Sequence, residues 1–279
     1  MSFLVHYPAP PLSAFVEYFY SPAGPMPFAA EKVMPAPSVD LKINFGGTFS
    51  ARGAGEGAIA ETLGEGWCMG VWDEYHTVTW PGEPDYVGVR FRPGGTLAVL
   101  GVEAGELHNR VVAFDAVLGR FAGEVRERLH AAGGPQARFA VLERMLTGWI
   151  RGTSDTGRIA VALRTLEASH GHVAVSTLSD LAGMSQKHLI TLFNRTVGVA
   201  PKTVARLYRL QHLLDTLDVV QPVVWTQVAQ DHLYFDQAHF NKDFKRFTGH
   251  TPGEYLGMRR RIAAEAPEHA GYTRLLRAG

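Results

Sequence analysis

The sequence predicts an α+β protein: an amino-terminal β-barrel or sandwich-like domain carrying a helical hairpin, followed by an all-α carboxy-terminal domain. Three observations lead there. Residues 1–112 hold half of the glycine and most of the proline, set between short apolar runs. The apolar spacing then changes from the alternation of strands to the 3.6-residue period of helices. Near the carboxy terminus the chain repeats itself at a fixed offset. A length of 279 residues fits two domains, because single cores stop growing near ~250–300 residues.

In chain order, Val39–Phe45, Trp67–Val71, Val71–Trp80 and Tyr86–Arg92 read as strands. Val117, Leu118, Phe121, Val125 and Leu129 follow helical spacing, Gly133-Gly134-Pro135 breaks it, and Phe139, Leu142, Met145, Leu146 and Trp149 resume it. Residues 113–150 therefore read as a helical hairpin, suited to self-association or to packing on the barrel. Residues 151–157 (RGTSDTG) are small and polar and read as a linker. Residues 158–261 read as short helices, and 262–279 as a tail.

With 46% apolar and 19% charged residues the chain is a folded globular protein rather than a disordered one. Its 27 Lys and Arg balance 27 Asp and Glu, so total charge selects no partner. The balance hides an asymmetry: residues 158–261 hold 13 basic and 8 acidic side chains, a net +5, and the rest of the chain is −5. A face of that sign attracts phosphates. Cys68 is the single cysteine, which excludes an intramolecular disulfide. Prolines interrupt the first dozen residues and no stretch approaches ~20 apolar residues. The expectation is a cytoplasmic protein without a leader or a membrane span.

Within the basic part, Gln186, His188, Leu189, Phe193, Arg195, Gly198 and Pro201 correspond to Gln237, His239, Phe240, Phe244, Arg246, Gly249 and Pro252, always 51 residues apart. One supersecondary unit is used twice. In each, a residue able to cap a helix (Ser185, Asp236) precedes an apolar stripe, Leu189 and Phe193 or Phe240, Phe244 and Phe247. The opposite faces carry Gln186, Lys187, Ile190, Thr191, Asn194 and Arg195, and Gln237, Asn241, Lys242, Lys245 and Arg246. Amide side chains pair with adenine edges, and cationic ones with guanine or phosphate. A shorter helix precedes each of these; before the first, Thr177 with Asp180 suggests a capping box ahead of Leu178, Leu181 and Ala182, and Gly183 supplies a turn. Helix, turn, polar-faced helix is a helix-turn-helix unit. Pro201–Leu217 reads as a linker helix joining the two units. Two reading helices on one rod can enter successive major grooves, roughly 34 Å apart.

These residues resemble the AraC-type transcription regulators. The similarity is carried by Asp236-Gln237-Ala238-His239-Phe240, by Phe244 to Gly249 and by Thr251-Pro252-Gly253-Glu254-Tyr255, and more loosely by Leu178 to Gly198 with Pro201 and Arg209-Leu210. Arg90-Phe91-Arg92-Pro93-Gly94-Gly95 and Pro10 to Val16 are similar to the β-rich regulatory halves of some members. The resemblance implies a two-unit DNA-binding domain, double-stranded promoter DNA and RNA polymerase as partners, and an amino-terminal domain that answers to a small-molecule effector or sets a homodimer. Two positions depart from the family pattern. Leu233 stands where the second turn usually has glycine, and Thr191 where the first reading helix often has arginine, which shifts the expected phosphate grip to the second unit.

The DNA-contacting set expected from this reading is Gln186, Lys187, Ile190, Asn194 and Arg195 with Gln237, His239, Asn241, Lys242, Lys245 and Arg246. His188 and His239 recur beside the buried stripe, which suits packing or phosphate contact. Trp67, Trp72, Tyr75 and Trp80, with Arg90 and Arg92, are the candidate effector pocket, although core packing and ion pairing are the simpler uses of those types. Phe91 is a further candidate for the pocket wall, with core packing as its simpler use, and Trp225 reads as core. Gly53-Ala54-Gly55-Glu56-Gly57 lacks the Lys-Ser/Thr of a phosphate loop. His6, His76, His108 and His130 are too scattered for a metal triad. Cys68 reads as a packed small residue, with thiol sensing as the alternative. No cofactor, metal or catalysis is expected. The rival reading is a β-barrel ligand-binding protein or enzyme with a helical interaction module, and it needs an acid–base or metal constellation in residues 1–112 that the sequence does not display.

Overall fold

The computed structural model describes residues 2–24, 29–54, 61–151, 154–265, 267 and 275–277. Its amino-terminal part is two antiparallel sheets, not a closed barrel. Strands β1 (Ser2–His6), β2 (Val16–Ala23), β9 (Tyr86–Phe91), β4 (Val39–Asn44), β7 (Gly66–Met69) and β10 (Val111–Ala113) form the first in that order, and β11 (Leu275–Arg277), β3 (Ala30–Val33), β8 (His76–Thr79), β5 (Phe49–Gly53) and β6 (Glu61–Leu63) the second. The glycine-rich segment at 53–57 begins at the end of β5, and Gly55, Glu56 and Gly57 lie outside the described residues.

Alternation along the central strands decides what each face touches. Val39, Leu41 and Ile43 on β4, with Val87, Val89 and Phe91 on β9, join the large core shared with the helices. Between them, Asp40 and Lys42 on β4 and Tyr86 and Arg90 on β9 point to the other face, where Phe49, Trp67, Val78 and Tyr86 form a second, smaller cluster. Gly88 belongs to that face too. A Cβ there would lie 2.3 Å from the Tyr20 ring, so only glycine lets the ring cross the strand.

The expected strand Val71–Trp80 is shorter than its composition suggests: only His76–Thr79 pairs, and residues 70–75 form a loop. The helical hairpin is present as α3 (Phe121–Ala131) and α4 (Pro135–Trp149), after α1 (Gly95–Leu100) and α2 (Phe114–Leu118). Phe139, Leu142, Met145 and Leu146 of α4 are buried against the first sheet and α1. That stripe is covered within the chain, so it does not offer itself to a second copy.

The expected linker is largely absent as a linker: Ser154–Gly157 are the first turn of α5 (Ser154–Ala168), and the Arg151 backbone N–H donates to the Ala98 carbonyl at 2.7 Å. Helices α6 (Val175–Leu181), α7 (Gln186–Thr196), α8 (Pro201–Thr216), α9 (Trp225–Asp231), α10 (Gln237–Thr248) and α11 (Pro252–Glu265) complete the carboxy-terminal part. The expected tail is also more structured than its composition suggests. α11 continues to residue 265, and β11 returns to the amino-terminal part to pair with β3, Leu276 opposite Lys32. No helix among the described residues is long and apolar enough to cross a membrane.

Candidate nucleic-acid interface and effector cavity

Each unit builds its reading helix in the same way. Ser185 caps α7 by accepting from the His188 N–H at 3.2 Å, and Asp236 caps α10 by accepting from the His239 N–H at 2.7 Å. Leu189, Leu192 and Phe193 are buried on α7, and Phe240, Phe244 and Phe247 on α10. Trp225 is only partly buried and lies against Phe240, ring centroids 6.0 Å apart. The capping box expected at Thr177 does not form; α6 starts at Val175 after Ala174 with no side-chain cap.

The polar faces remain in solvent. Gln186, Lys187, Ile190, Thr191 and Asn194 on α7 are exposed, as are Gln237, Asn241, Lys242, Lys245 and Arg246 on α10. His188 and His239 are exposed as well and contribute their backbone N–H groups to the caps. The repeated arginines differ from the rest of the set. Arg195 faces Glu103 at 3.7 Å, and Arg246 donates to Asp73 at 2.6 Å with Glu74 at 3.5 Å. All three acids belong to the amino-terminal part. Asp73 is held in place by Asn109 Nδ2 at 2.8 Å, and the His108 imidazole 3.7 Å away, with that amide and the Arg246 charge, keeps its carboxyl well below the usual range.

These pairs sit where both reading helices end on the amino-terminal part. At α7, backbones touch: a Cβ on Gly105 would lie 2.6 Å from the Asn194 carbonyl oxygen, and one on Gly198 would lie 2.9 Å from that of Ala104. At α10, Gly249 lies under the Tyr75 ring, and Lys32 Nζ reaches His250 Nε2 at 2.9 Å. A further contact ties the second unit to the linker helix. Arg206 on α8 grips Asp243 on α10 with Nε and a terminal nitrogen, at 2.9 and 2.5 Å, and lies over Phe247. The repeat hides this pair, because position 243 corresponds to the apolar Leu192 in the first copy.

A cavity of about 470 Å³ opens between the two sheets. Trp67, Trp72, Trp80 and Arg90 are among its lining residues. Tyr75 and Arg92 are not. Tyr75 faces Gly249 and Lys32. Arg92 donates to the Ser13 carbonyl and approaches Glu167. Arg90 is already paired with Asp40 at 2.8 Å and Glu17 at 3.4 Å. Sequence reasoning missed Asp40 and Lys42, which the cavity also brings together. Their signal was legible: two charged residues alternating with Val39, Leu41 and Ile43 in one strand.

Cys68 is fully buried, and burial pushes its thiol up to about 12. Such a thiol is inert, which overturns the sensing alternative. The scattered amino-terminal histidines serve separate local contacts: His6 with Glu143, His76 with Trp72, His108 with Asp73 and His130 with Phe45.

With this geometry in hand, the likenesses to known proteins fall on the same two parts of the chain. Residues 178–258 match the family described as a helix-turn-helix domain, and residues 4–113 match a domain of unknown function (DUF6597). An uncharacterized HTH-type transcriptional regulator of Staphylococcus aureus (strain MSSA476) is 30% identical over 90 residues, 32% of this chain and 12% of that protein. The chain therefore spans only a small part of the length of the curated relatives it matches. Among solved structures, the DNA-binding domain of AdpA in complex with a target DNA is similar at 25% identity and a TM-score of 0.33, over 40% of this chain and 96% of that one. ToxT from Vibrio cholerae O395 is similar at 11% identity and a TM-score of 0.44, over 86% of this chain and 97% of that one.

Proposed function

We propose that the chain, whose residues 178–258 match a helix-turn-helix family, is a sequence-specific DNA-binding transcription regulator of the AraC type. In this reading α7 and α10 enter successive major grooves of promoter DNA, and RNA polymerase is the partner met there. A small-molecule effector occupies the cavity between the sheets. Gln186, Gln237 and Asn241 read bases, Ile190 and Asn194 complete the first face, and Lys187, His239, Lys242 and Lys245 hold phosphates. Arg195 and Arg246 join them when their pairs with Glu103, Asp73 and Glu74 open. The buried stripe of α3 and α4 is covered, so self-association falls to other faces.

The observation that carries this reading is the exposure of two equivalent polar faces on helices with equivalent caps and buried stripes. Selection of bound fragments from random duplexes with the full-length protein tests it. The expected result is a two-part motif whose halves lie about one helical turn apart, with affinity falling as salt rises. No enriched motif, or an affinity indifferent to salt, refutes it.

A further inference from the structure

The second helix-turn-helix unit carries an aromatic side chain that its own fold does not use. In the first unit the residue directly before the cap of α7 is Met184, half-buried against the core. The matching residue in the second unit is Tyr234, whose N–H donates to the Ala229 carbonyl as that of Met184 does to Ser179. Tyr234 packs on the core in the same way, its ring 5.2 Å from Phe240 and 5.4 Å from His239. One more residue then precedes the cap Asp236. It is Phe235, and it is 94% exposed.

An apolar residue directly ahead of a helix cap ordinarily closes over the fourth residue of the helix. On α10 that residue is Phe240, which Tyr234 and Trp225 already cover. Phe235 is left in water. A lone exposed ring is ordinary on a protein surface, but the place of this one is not. Gln237, Asn241 and Lys245 are exposed at four-residue steps and form one line along α10. Phe235 stands at the N-terminal end, where that line starts. The other end of the helix is occupied, because Arg246 pairs with Asp73 and Gly249 lies under the Tyr75 ring. The free end is the one that a reading helix presents to base edges. In the major groove thymine displays an apolar group, its 5-methyl, which phenyl side chains contact.

We infer that Phe235 contacts the 5-methyl group of a thymine in the major groove and so determines part of the sequence preference of the second unit. The first unit has no corresponding residue. This inference rests on the proposal that α10 enters a major groove, and it adds a specificity-determining residue that lies outside the helix itself.

Removal of single methyl groups tests it. The full-length protein is titrated with a duplex carrying its selected motif, and with duplexes in which each thymine in turn is replaced by deoxyuridine, which takes away the methyl and keeps every hydrogen-bonding group. Fluorescence anisotropy reads the affinities. At one thymine the replacement is expected to weaken binding about fourfold, the worth of one buried methyl. Phe235→Ser should lose at least that factor on the thymine duplex and bind thymine and uracil there alike, and Phe235→Leu should retain part of the preference. The melting temperature of both variants should stay unchanged, since the ring they replace is in solvent. A selected motif without thymine, methyl removal that is harmless at every position, or a preference that survives in Phe235→Ser overturns the inference. Phe235→Ser that binds the thymine duplex as tightly as the unaltered protein also overturns it and gives the ring to a protein partner. Failure to select any motif refutes the regulator and this contact together, whereas a motif indifferent to thymine methyls refutes only the contact.

Discussion

The two helix-turn-helix units share a plan and differ in how they are held. Both turns use the same hydrogen bonds, Met184 N–H to the Ser179 carbonyl and Tyr234 N–H to that of Ala229, and both put one residue at positive φ, Gly183 at 63° and Leu233 at 55°. The second turn is then one residue longer. Phe235 is the insertion, 94% exposed. The first unit meets the amino-terminal part backbone to backbone at Gly105 and Gly198. The second meets it through Gly249 under the Tyr75 ring and through charged side chains, and is tied to α8 by Arg206 and Asp243 where the first has Leu192. Close backbone packing is insensitive to salt, and exposed ion pairs are screened by it. The second unit is thus the one whose seat a polyanion or a change of ionic strength can loosen.

The pair on α8 gives the strongest way to separate the units. Arg206→Met strands the buried Asp243 carboxylate and is expected to cost about 3–5 kcal/mol, while Arg206→Met with Asp243→Leu recovers most of it, because the first unit already packs a leucine there. Chemical denaturation of the three proteins reads this out. An equal loss in the double variant would show that the pair was not the cause.

Gly105→Ala should push α7 off its seat, at roughly 1–3 kcal/mol of overpacking. Proteolysis or hydrogen exchange should find the first unit loosened and the second unchanged. Leu233→Gly acts in the opposite direction. Removing a side chain from φ 55° is expected to stabilise by up to about 1 kcal/mol, seen as a higher melting temperature; a lower one would mean that Leu233 packs better than its 65% exposure suggests.

Asp73→Asn frees Arg246 from an exposed pair of roughly 0.2–1 kcal/mol. DNA binding should tighten by a factor of about 1.5–5 at low salt and by less at high salt. Weaker binding would mean that Arg246 does not reach phosphate.

The joint between the units is also the part that acid should affect. His170 stacks on His212 at 3.9 Å, His212 lies 5.6 Å from His232, and His172 6.0 Å from it, with Arg209 and Asp231 nearby. Burial first, and then His212 and His172, push the His232 imidazole down to about 4. Its neutral form is favoured in the folded protein, so this contribution to stability is complete above about pH 6.5 and is lost as pH falls toward 4. His232→Gln should flatten the fall of melting temperature across that interval; an unaltered profile would place the sensitivity elsewhere.

Much of this was readable along the chain. The reading helices, their caps, their stripes and their polar faces follow from short-range periodicity and capping chemistry, which act within a few residues and so leave their mark in order. Errors came where non-local contacts decide. Residues 70–75 have the composition of a strand but pair with no strand among the described residues. Residues 154–157 have the composition of a linker but join α5, whose buried face starts at Ile159. Arg92 and Tyr75 look like pocket residues but point to Glu167 and Gly249.

What local order settles here is the duplicated bihelical unit and the alternation that sends Asp40, Lys42 and Arg90 to one face of a sheet. What it leaves open is which charges meet. Arg90 with Asp40, Arg206 with Asp243 and Arg246 with Asp73 join residues 50, 37 and 173 positions apart. Charge acts through space, so a side chain's partner exists only once the chain has closed around it.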